Sequence, residues 1–446
     1  MIRTRYASEV NEADDGTTQT IAGWLQDVRL MGNLAFLVIR DRTGIAQATV
    51  LKKKVPELHE LAGQIQRESA VSITGTVQMS DKAKLGWEIL PDNIQVLNES
   101  EAPLPMGVVD RVGVDLDTRL DNRFLDVRRP EVAAIFKIRH EVIHAAGEYL
   151  RDKGFLEIHT SCINAASSEG GTEVYKFQYF EKEAFLAQSP QLYKQMMMAT
   201  GFDRVFEFAR YFRAEKHNTT RHLNESTAID FEMAWIQNEE DVMKVIEGLM
   251  NAIWTAVHEK RQEELALVGA EVPIPKLPFL RITYTDAIEK INKASLNGDR
   301  KLDKPLEFGD DIGTEAERIL GDVLMKEGHD FYFITKWPLA PKPFYVHPEG
   351  KDMGSKLCRG FDLDYRGVEL LSGAQRIHEP ELLKEGIKRV GLDPTDFEGY
   401  LTSFRYGMPP HGGCGIGIER ILMQMLGLPN IREAVLFPRD RTRLYP

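Results

Sequence analysis

Residues 211–235 read YFRAEKHNTTRHLNESTAIDFEMAW, and the reading of this stretch decides the fold. Its first half carries Arg213, Lys216, Arg221 and His222, with Glu215 and Glu225 among them. From Ile229 to Trp235, apolar residues alternate with acidic or small ones, the period of a half-buried strand. Asn218, Thr219 and Thr220 between the halves read as a turn. The expectation is a strand, a basic loop and a returning strand. Such a hairpin can hold a guanidinium over a phosphate, because arginine's planar donors match two oxygens at once. A solvated hairpin of mixed charge would show the same local pattern. A second segment, HGGCGIGIER at 411–420, tips the balance. Gly412, Gly413, Gly415 and Gly417 read as a glycine-rich turn that permits close backbone approach to a ligand just before a helix. Helix N-termini favour anions, so Arg420 on the first turn can reach a triphosphate. No lysine stands at the Walker position, which argues against a P-loop.

A third group of charges is Asp362, Asp364 and Glu369, on one candidate strand over 360–371. Asp362 and Asp364 share a face because strand side chains alternate. Glu369 falls on the other face unless a bulge or twist intervenes, with Gly367 the candidate position. Carboxylates beside a triphosphate would hold Mg2+, though ordinary surface charge has the same spacing.

Further out, the first hundred residues are strand-rich. TIAGWLQDVRLMG, LAFLVIRDRTG, IAQATVLKKK, AVSITGTVQM and WEILPDNIQVL read as strands, with a helix over 56–66 between the third and fourth. That order is the OB-fold barrel, which binds single-stranded nucleic acid with aromatics and basic residues. Trp24, Arg29, Phe36, Lys82 and Lys84 are the candidate contacts. Trp24 is expected to pack in the barrel, and Phe36 suits core packing or base stacking equally. The expected organisation is a barrel over 1–103, a proline- and glycine-containing hinge over 104–130, and a second domain over 131–446.

In that second domain the spacing predicts a helix over 131–153, after Pro130 and before Gly154, then a strand FLEIHTS. This pair suits an oligomer interface as well as a core. LYKQMMMATG reads as a helix ended by Gly201, 239–267 as one long helix, and 285–322 as polar, helical and peripheral. Residues 331–335 and 343–346 read as strands and 417–426 as a final helix. The fold class expected is α+β, a mainly antiparallel sheet flanked by helices.

The 446 residues carry a net charge of -12, so there is no global basic field for nucleic acid, and RNA contact must rest on local patches. Cys162, Cys358 and Cys414 are far apart and odd in number. That argues against a disulfide framework and against a zinc site, and suits a reducing compartment. The N-terminus lacks the apolar core of a signal peptide and no run approaches a membrane span, so a cytoplasmic protein is expected.

FRAE at 212–215 resembles motif 2 of the class II aminoacyl-tRNA synthetases, and GIGIER at 415–420 resembles their motif 3. RLDNRFLDVRRP, SEGGTE, QSPQLYKQ, FRAEKHNTTRHLNE, SGAQRIH and YGMPPHGG together resemble the aspartyl-tRNA synthetases of archaeal and eukaryotic type. The resemblance implies a homodimer that uses ATP, Mg2+, L-aspartate and tRNA-Asp. It implies that Arg213 binds the α-phosphate, that Arg420 lies on the other side of a bent ATP, and that His222 with Arg221 holds the γ-phosphate. Glu215 would meet the adenine amino group, and Asp362 and Glu369 would carry Mg2+. Lys194 and Arg376 would grip the substrate's side-chain carboxylate. Glu169, Ser189 and Gln191 would orient its amino end under a lid at 167–173, with Ser372 also in the substrate site. In the barrel, Phe36 would stack on the central anticodon base, while Arg29, Gln47 and Glu88 read base edges.

The chain departs from the family pattern at three places. Ser161 replaces the usual proline after the motif 1 strand, and Ser226-Thr227 stand where motif 2 often has an aromatic. Gln26 stands where enzymes strict for tRNA-Asp often have tryptophan, while Lys84 keeps the residue associated with strictness. Charging of tRNA-Asn as well is therefore an expectation to test. The competing readings are an asparagine-activating paralogue, opposed by Lys194, and a non-catalytic RNA-binding relative, opposed by the complete phosphate-binding set.

Overall fold

The computed structural model describes residues 2–81, 83–109, 113–165, 174–216, 219–350 and 352–446. Asn218, Lys82, Glu169 and the 167–173 lid lie outside the described residues. The chain divides into two compact units, Met1–Thr118 and Arg119–Pro446.

In the first unit, strands β1 (Thr18–Met31), β2 (Leu34–Arg40), β3 (Ile45–Leu51), β4 (Ala70–Met79) and β5 (Trp87–Asn98) close into a barrel in the order β1-β2-β3-β5-β4. The helix Pro56–Ala62 sits between β3 and β4, with Pro56 at its first turn. Alternation sends Ala35, Leu37 and Ile39 of β2 inward to meet Ile21, Leu25, Ala46, Ala48 and Ile73. Phe36 is therefore on the outer face, opposite Arg29 of β1 and Thr49 of β3, so it is not a core residue. Trp24, expected inside, is 37% exposed.

The span read as a hinge contains two short helices, Leu116–Asp121 and Arg123–Asp126. Arg123 is buried and donates to Asp126 and to the carbonyls of Glu433 and Val435.

In the second unit the strands are β6 (Leu156–Glu157), β7 (Ile163–Asn164), β8 (Lys176–Tyr179), β9 (Lys182–Leu186), β10 (Arg204–Phe212), β11 (Glu225–Ala234), β12 (Leu280–Thr283), β13 (Phe331–Thr335), β14 (Gly360–Tyr365), β15 (Glu369–Gln375) and β16 (His411–Gly417). Eight of them form one sheet in the order β12-β13-β14-β15-β16-β11-β10-β6. Every pairing in it is antiparallel except β12 with β13 and β10 with β6. One face packs on the helices Pro130–Asp152 and Glu239–Lys260, through Ile229, Phe231, Leu371, Cys414 and Ile416. A second core joins Tyr332, Ile334 and Ala374 to the helices Tyr284–Asn297, Thr314–Lys326, Pro380–Arg389 and Glu398–Arg405. The expected α+β architecture is the one found.

Several local expectations are corrected. The 239–267 helix breaks at Arg261, whose guanidinium is drawn to Glu141 at 2.8 Å, and resumes as Gln262–Val268. The 285–322 region is not peripheral. Ile288 and Ile291 on one helix and Ile319 and Leu320 on the next are buried, apolar faces that the many polar residues around them obscured. Residues 343–346 make no strand: Pro343 has no N–H to donate, and Val346 forms a single bridge to Arg376.

The two corrections that matter for function concern β14–β15 and β16. The stretch 360–371 is a hairpin, not one strand. Arg366 and Gly367 both have positive φ, 50° and 78°, as a tight two-residue turn requires. A bulge then places Asp364 opposite Glu369 and Leu363 opposite Leu371, so that Leu370 is the extra residue. Leu370 and Leu371 both enter the core, and Glu369 returns to the face of Asp362, Asp364 and Ser372. The glycine-rich segment, in turn, is a central strand and not a turn. Its glycines at 413, 415 and 417 fall on one face, and Cys414 and Ile416 on the other. A side chain at Gly415 would collide with the Tyr211 hydroxyl and sit 3.0 Å from Asp230 Oδ2.

Candidate active site

The bare glycine face of β16 is the floor of a cavity of about 280 Å³. Arg213 and Arg420, 207 positions apart in sequence (420 − 213), both line it. So do Glu215, Arg221, His222, Glu369, Ser372, Arg376, Ser189 and Gln191. Arg213 follows β10 directly, and its backbone N–H donates to Asn224 O at 3.0 Å across the mouth of the hairpin. Its guanidinium carbon stands 5.5 Å from the Tyr211 ring centre. Arg420 donates to Glu369 Oε1 at 3.1 Å, and both side chains are about one-third exposed, 37% and 36%. Glu419, the neighbour of Arg420, has another task. It accepts from Arg139 at 2.8 Å and from the Thr227 N–H at 3.1 Å, which fixes the helix Ile418–Leu426 against β11.

The basic loop contributes three more groups. His222 Nδ1 is 2.6 Å from Thr219 Oγ1, and its Nε2 is 3.8 Å from Glu215 Oε2. Arg221 reaches Thr314 Oγ1 at 3.3 Å and Glu317 Oε2 at 3.7 Å. Glu317 was not singled out from sequence. Burial, with the negative charge of Glu369 nearby, pushes its carboxyl up to about 7 against the opposing pull of Arg221 and Arg420. A carboxyl raised in the fold binds protons that the unfolded chain releases. Its contribution to stability is thus fully present below the ordinary value of 4.5 and is lost as pH rises towards 7. Glu317→Gln is expected to melt higher than the parent at pH 8 and about equally at pH 4. Thermal melts across that range check it, and an equal difference at both ends would contradict it.

Beneath the cavity lies a buried cluster. Lys194, 3% exposed, forms an ion pair with Asp230 and stands 3.1 Å from Glu232 Oε2. It also donates to the carbonyl of Cys414 at 3.2 Å. Arg376 donates to Glu232 Oε1 at 3.0 Å and to Gly413 O at 2.9 Å. Tyr211 donates to Asp230. Burial pushes the Asp230 carboxyl up in spite of Lys194. Burial also opposes ionisation of Glu232, but Arg376 and Lys194 outweigh it and hold the carboxyl low. The cluster thus sets two cations against one firm carboxylate and one reluctant one. Asp230 and Glu232 were read as the exposed face of a half-buried strand. They are 2% and 0% exposed, because Lys194 of the helix Gln191–Met197 and Arg376 pack against that face. Their two-residue spacing between core positions was the signal available.

Asp362 and Glu369 come together less directly. Asp362 is buried and accepts from Lys342 at 2.9 Å, another residue not found from sequence. Burial raises its carboxyl, and Lys342 opposes the rise. Its Oδ1 is buried without a hydrogen bond. Asp364 sits deeper, and burial with the charge of Glu317 pushes it well above the carboxylate range. Hard oxygen donors of this kind, one of them unsatisfied, fit a divalent cation such as Mg2+.

Within the barrel unit, Gln26, Arg29, Gln47 and Lys84 share a second cleft with Asp27 and Arg67. Burial pushes Asp27 up, but Arg29 and Arg67 outweigh it and hold the carboxyl low. Glu88 borders this face, accepting from Gln47 at 3.3 Å and from Thr49. Phe36 stands beside Arg29 on the same outer face.

Comparisons with known proteins agree with this geometry. Residues 115–441 match the tRNA synthetases class II (D, K and N), and residues 19–97 match the OB-fold nucleic acid binding domain. The aspartate–tRNA(Asp) ligase of Thermococcus kodakarensis is 52% identical over 448 residues, covering all of both chains. The aspartate–tRNA(Asp/Asn) ligase of Methanosarcina barkeri is 48% identical over 450 residues, covering all of this chain and 99% of the relative. In structure, the asparaginyl-tRNA synthetase of Pyrococcus horikoshii complexed with asparaginyl-adenylate aligns with a TM-score of 0.90 over all of both chains, at 34% identity. Family matches over both units and near-complete coverage of full-length relatives make the chain a class II aminoacyl-tRNA synthetase of the aspartate, lysine and asparagine group, carrying an OB-fold domain.

Proposed function

We propose that this protein is an aspartate–tRNA ligase. It activates L-aspartate with ATP and transfers the aspartyl group to the 3′ end of tRNA-Asp. The observation that carries the reading is the position of Arg213 and Arg420 in one cavity, over a buried pair of cations, Lys194 and Arg376.

In this reading the aspartate α-carboxylate attacks the α-phosphorus, pyrophosphate leaves, and aspartyl-adenylate remains. Arg213 withdraws charge from the α-phosphate as the pentacoordinate transition state forms, and Arg420 closes on the opposite side of the nucleotide. Arg420 exchanges its Glu369 contact for the nucleotide. His222 and Arg221 hold the γ-phosphate, and Glu215 meets the adenine amino group. No protein nucleophile is needed, because positioning and charge stabilisation supply the rate. Asp362 and Glu369 would hold Mg2+, which neutralises phosphate charge when bound.

Lys194 and Arg376 take the substrate's side-chain carboxylate. The substrate carboxylate would join Asp230 and Glu232 as a further acceptor for these two buried cations. An asparagine amide brings no negative charge to the two cations, which disfavours it against aspartate. Ser189, Gln191 and Ser372 border the amino end, and Glu169 is assigned there by family resemblance alone.

On the barrel, Phe36 stacks on an anticodon base, and Gln26, Arg29, Gln47, Lys84 and Glu88 read base edges. We assign the enzyme to the cytosol as a homodimer. The short edge strand β6 exposes Leu156 by 46%, and Phe202 and Trp235 are exposed by 51% and 69%, which suits an apolar contact between copies.

Charging of separate tRNA-Asp and tRNA-Asn transcripts tests both steps. Aspartylation of tRNA-Asp is expected, and Gln26 leads us to expect aspartylation of tRNA-Asn too. Charging of tRNA-Asp alone would reject the relaxed specificity, and charging of neither would reject the ligase reading.

A further inference from the structure

His347, His378 and Glu379 bring three ligand atoms within 4.8 Å of one another, apart from the phosphate-binding groups. His347 is 4% exposed. Its Nδ1 is 2.6 Å from the Pro348 carbonyl, a contact that places the ring proton on Nδ1 and leaves a lone pair on Nε2. That is the arrangement of a metal-ligating histidine, whose other nitrogen is held by a backbone carbonyl. Nε2 lies 3.9 Å from Glu379 Oε2, and His378 Nδ1 lies 3.4 Å from the same oxygen. His378 Nδ1 is itself buried and makes no hydrogen bond. Two nitrogens and a carboxylate oxygen therefore converge, and one of the nitrogens is unsatisfied.

We propose that His347, His378 and Glu379 form a site for a divalent transition metal of the zinc class, with at least one position left to water. Two imidazoles and one carboxylate suit Zn2+ or Co2+, while Mg2+ prefers an all-oxygen shell. The scattered cysteines argued against zinc from sequence; here histidines supply the ligands. Arg359 follows on the neighbouring segment, where its backbone N–H donates to His347 O at 2.8 Å, and its guanidinium is engaged by Gln375 Oε1 at 2.7 Å.

The site would join two segments of the aspartate pocket. His347 N–H donates to Gln375 O at 3.0 Å, and Ile377 N–H donates to Tyr345 O at 2.9 Å. Val346 and Arg376, which line the cavity, lie between these bonds, and the Arg376 guanidinium carbon is 5.2 Å from the ring centre of Tyr345, another lining residue. A metal at His347 and His378 clips the two segments together just outside the cavity wall. This role rests on the proposed function, whereas the binding site itself does not.

The test is titration of the chelator-treated full-length protein with Co2+, followed by visible absorption, and with Zn2+, followed by calorimetry. One Co2+ per chain with ligand-field bands is expected, displaced by Zn2+ and indifferent to millimolar Mg2+. His378→Ala and Glu379→Gln should each weaken binding by at least ~10–100-fold. Glu379 is 48% exposed on its side chain, so the glutamine variant is expected to fold, and a thermal melt verifies it. Absence of stoichiometric binding, or unchanged affinity in both variants, overturns the proposal.

Discussion

Arg213→Ala is expected to lower aspartate-dependent pyrophosphate exchange by about 10²–10³-fold, the scale of losing one transition-state charge donor. Binding of tRNA should survive, because no barrel residue changes. The side chain lines the cavity from the end of β10, and the strand pairing that places it runs through Tyr211 and Ser226, not through the guanidinium. The loss should therefore appear chiefly in kcat, with little change in the melting temperature. Equal loss of activation and tRNA binding would show misfolding or a wrong role.

The second large effect is expected at Lys194. Its ammonium stands between Asp230 and Glu232, and all three groups are nearly fully buried. Lys194→Met leaves two buried carboxylates facing Arg376 alone. Breaking a buried pair in this way costs about 3–5 kcal/mol, so denaturant unfolding should shift by that amount. Where the variant remains folded, KM for aspartate should rise by ~10²-fold or more, the scale of one lost buried charge contact. The two readouts separate structure from recognition. A destabilised variant with normal use of aspartate would remove Lys194 from the substrate site.

The hairpin at 211–235 was legible because its two halves differ in kind, a run of cations and then a strict alternation. The barrel was legible because short alternating strands, turns and one helix came in a recognisable order. What escaped has physical causes. Period-two glycines at 413, 415 and 417, interleaved with Cys414 and Ile416, look like a turn when read for flexibility, and like a strand with one stripped face when read for alternation. The β14–β15 hairpin hides behind a continuous apolar and acidic run, and only Arg366-Gly367 marks the reversal. The bulge at Leu370 leaves no mark of its own, yet it alone brings Glu369 to the face of Asp362. Lys342 and Glu317 reach the site from elements with no motif, so only tertiary packing reveals them. Asp230 and Glu232 were visible as acids but read as exposed, because sequence does not say what covers a strand's second face.

The most direct test of the account is amino-acid-dependent exchange of pyrophosphate into ATP by the purified protein. Exchange with L-aspartate, and none with L-asparagine or L-lysine, is the predicted result. Exchange driven only by asparagine would contradict the charge assignment of the Lys194–Arg376 pocket, and no exchange with any amino acid would contradict the two-arginine nucleotide site itself.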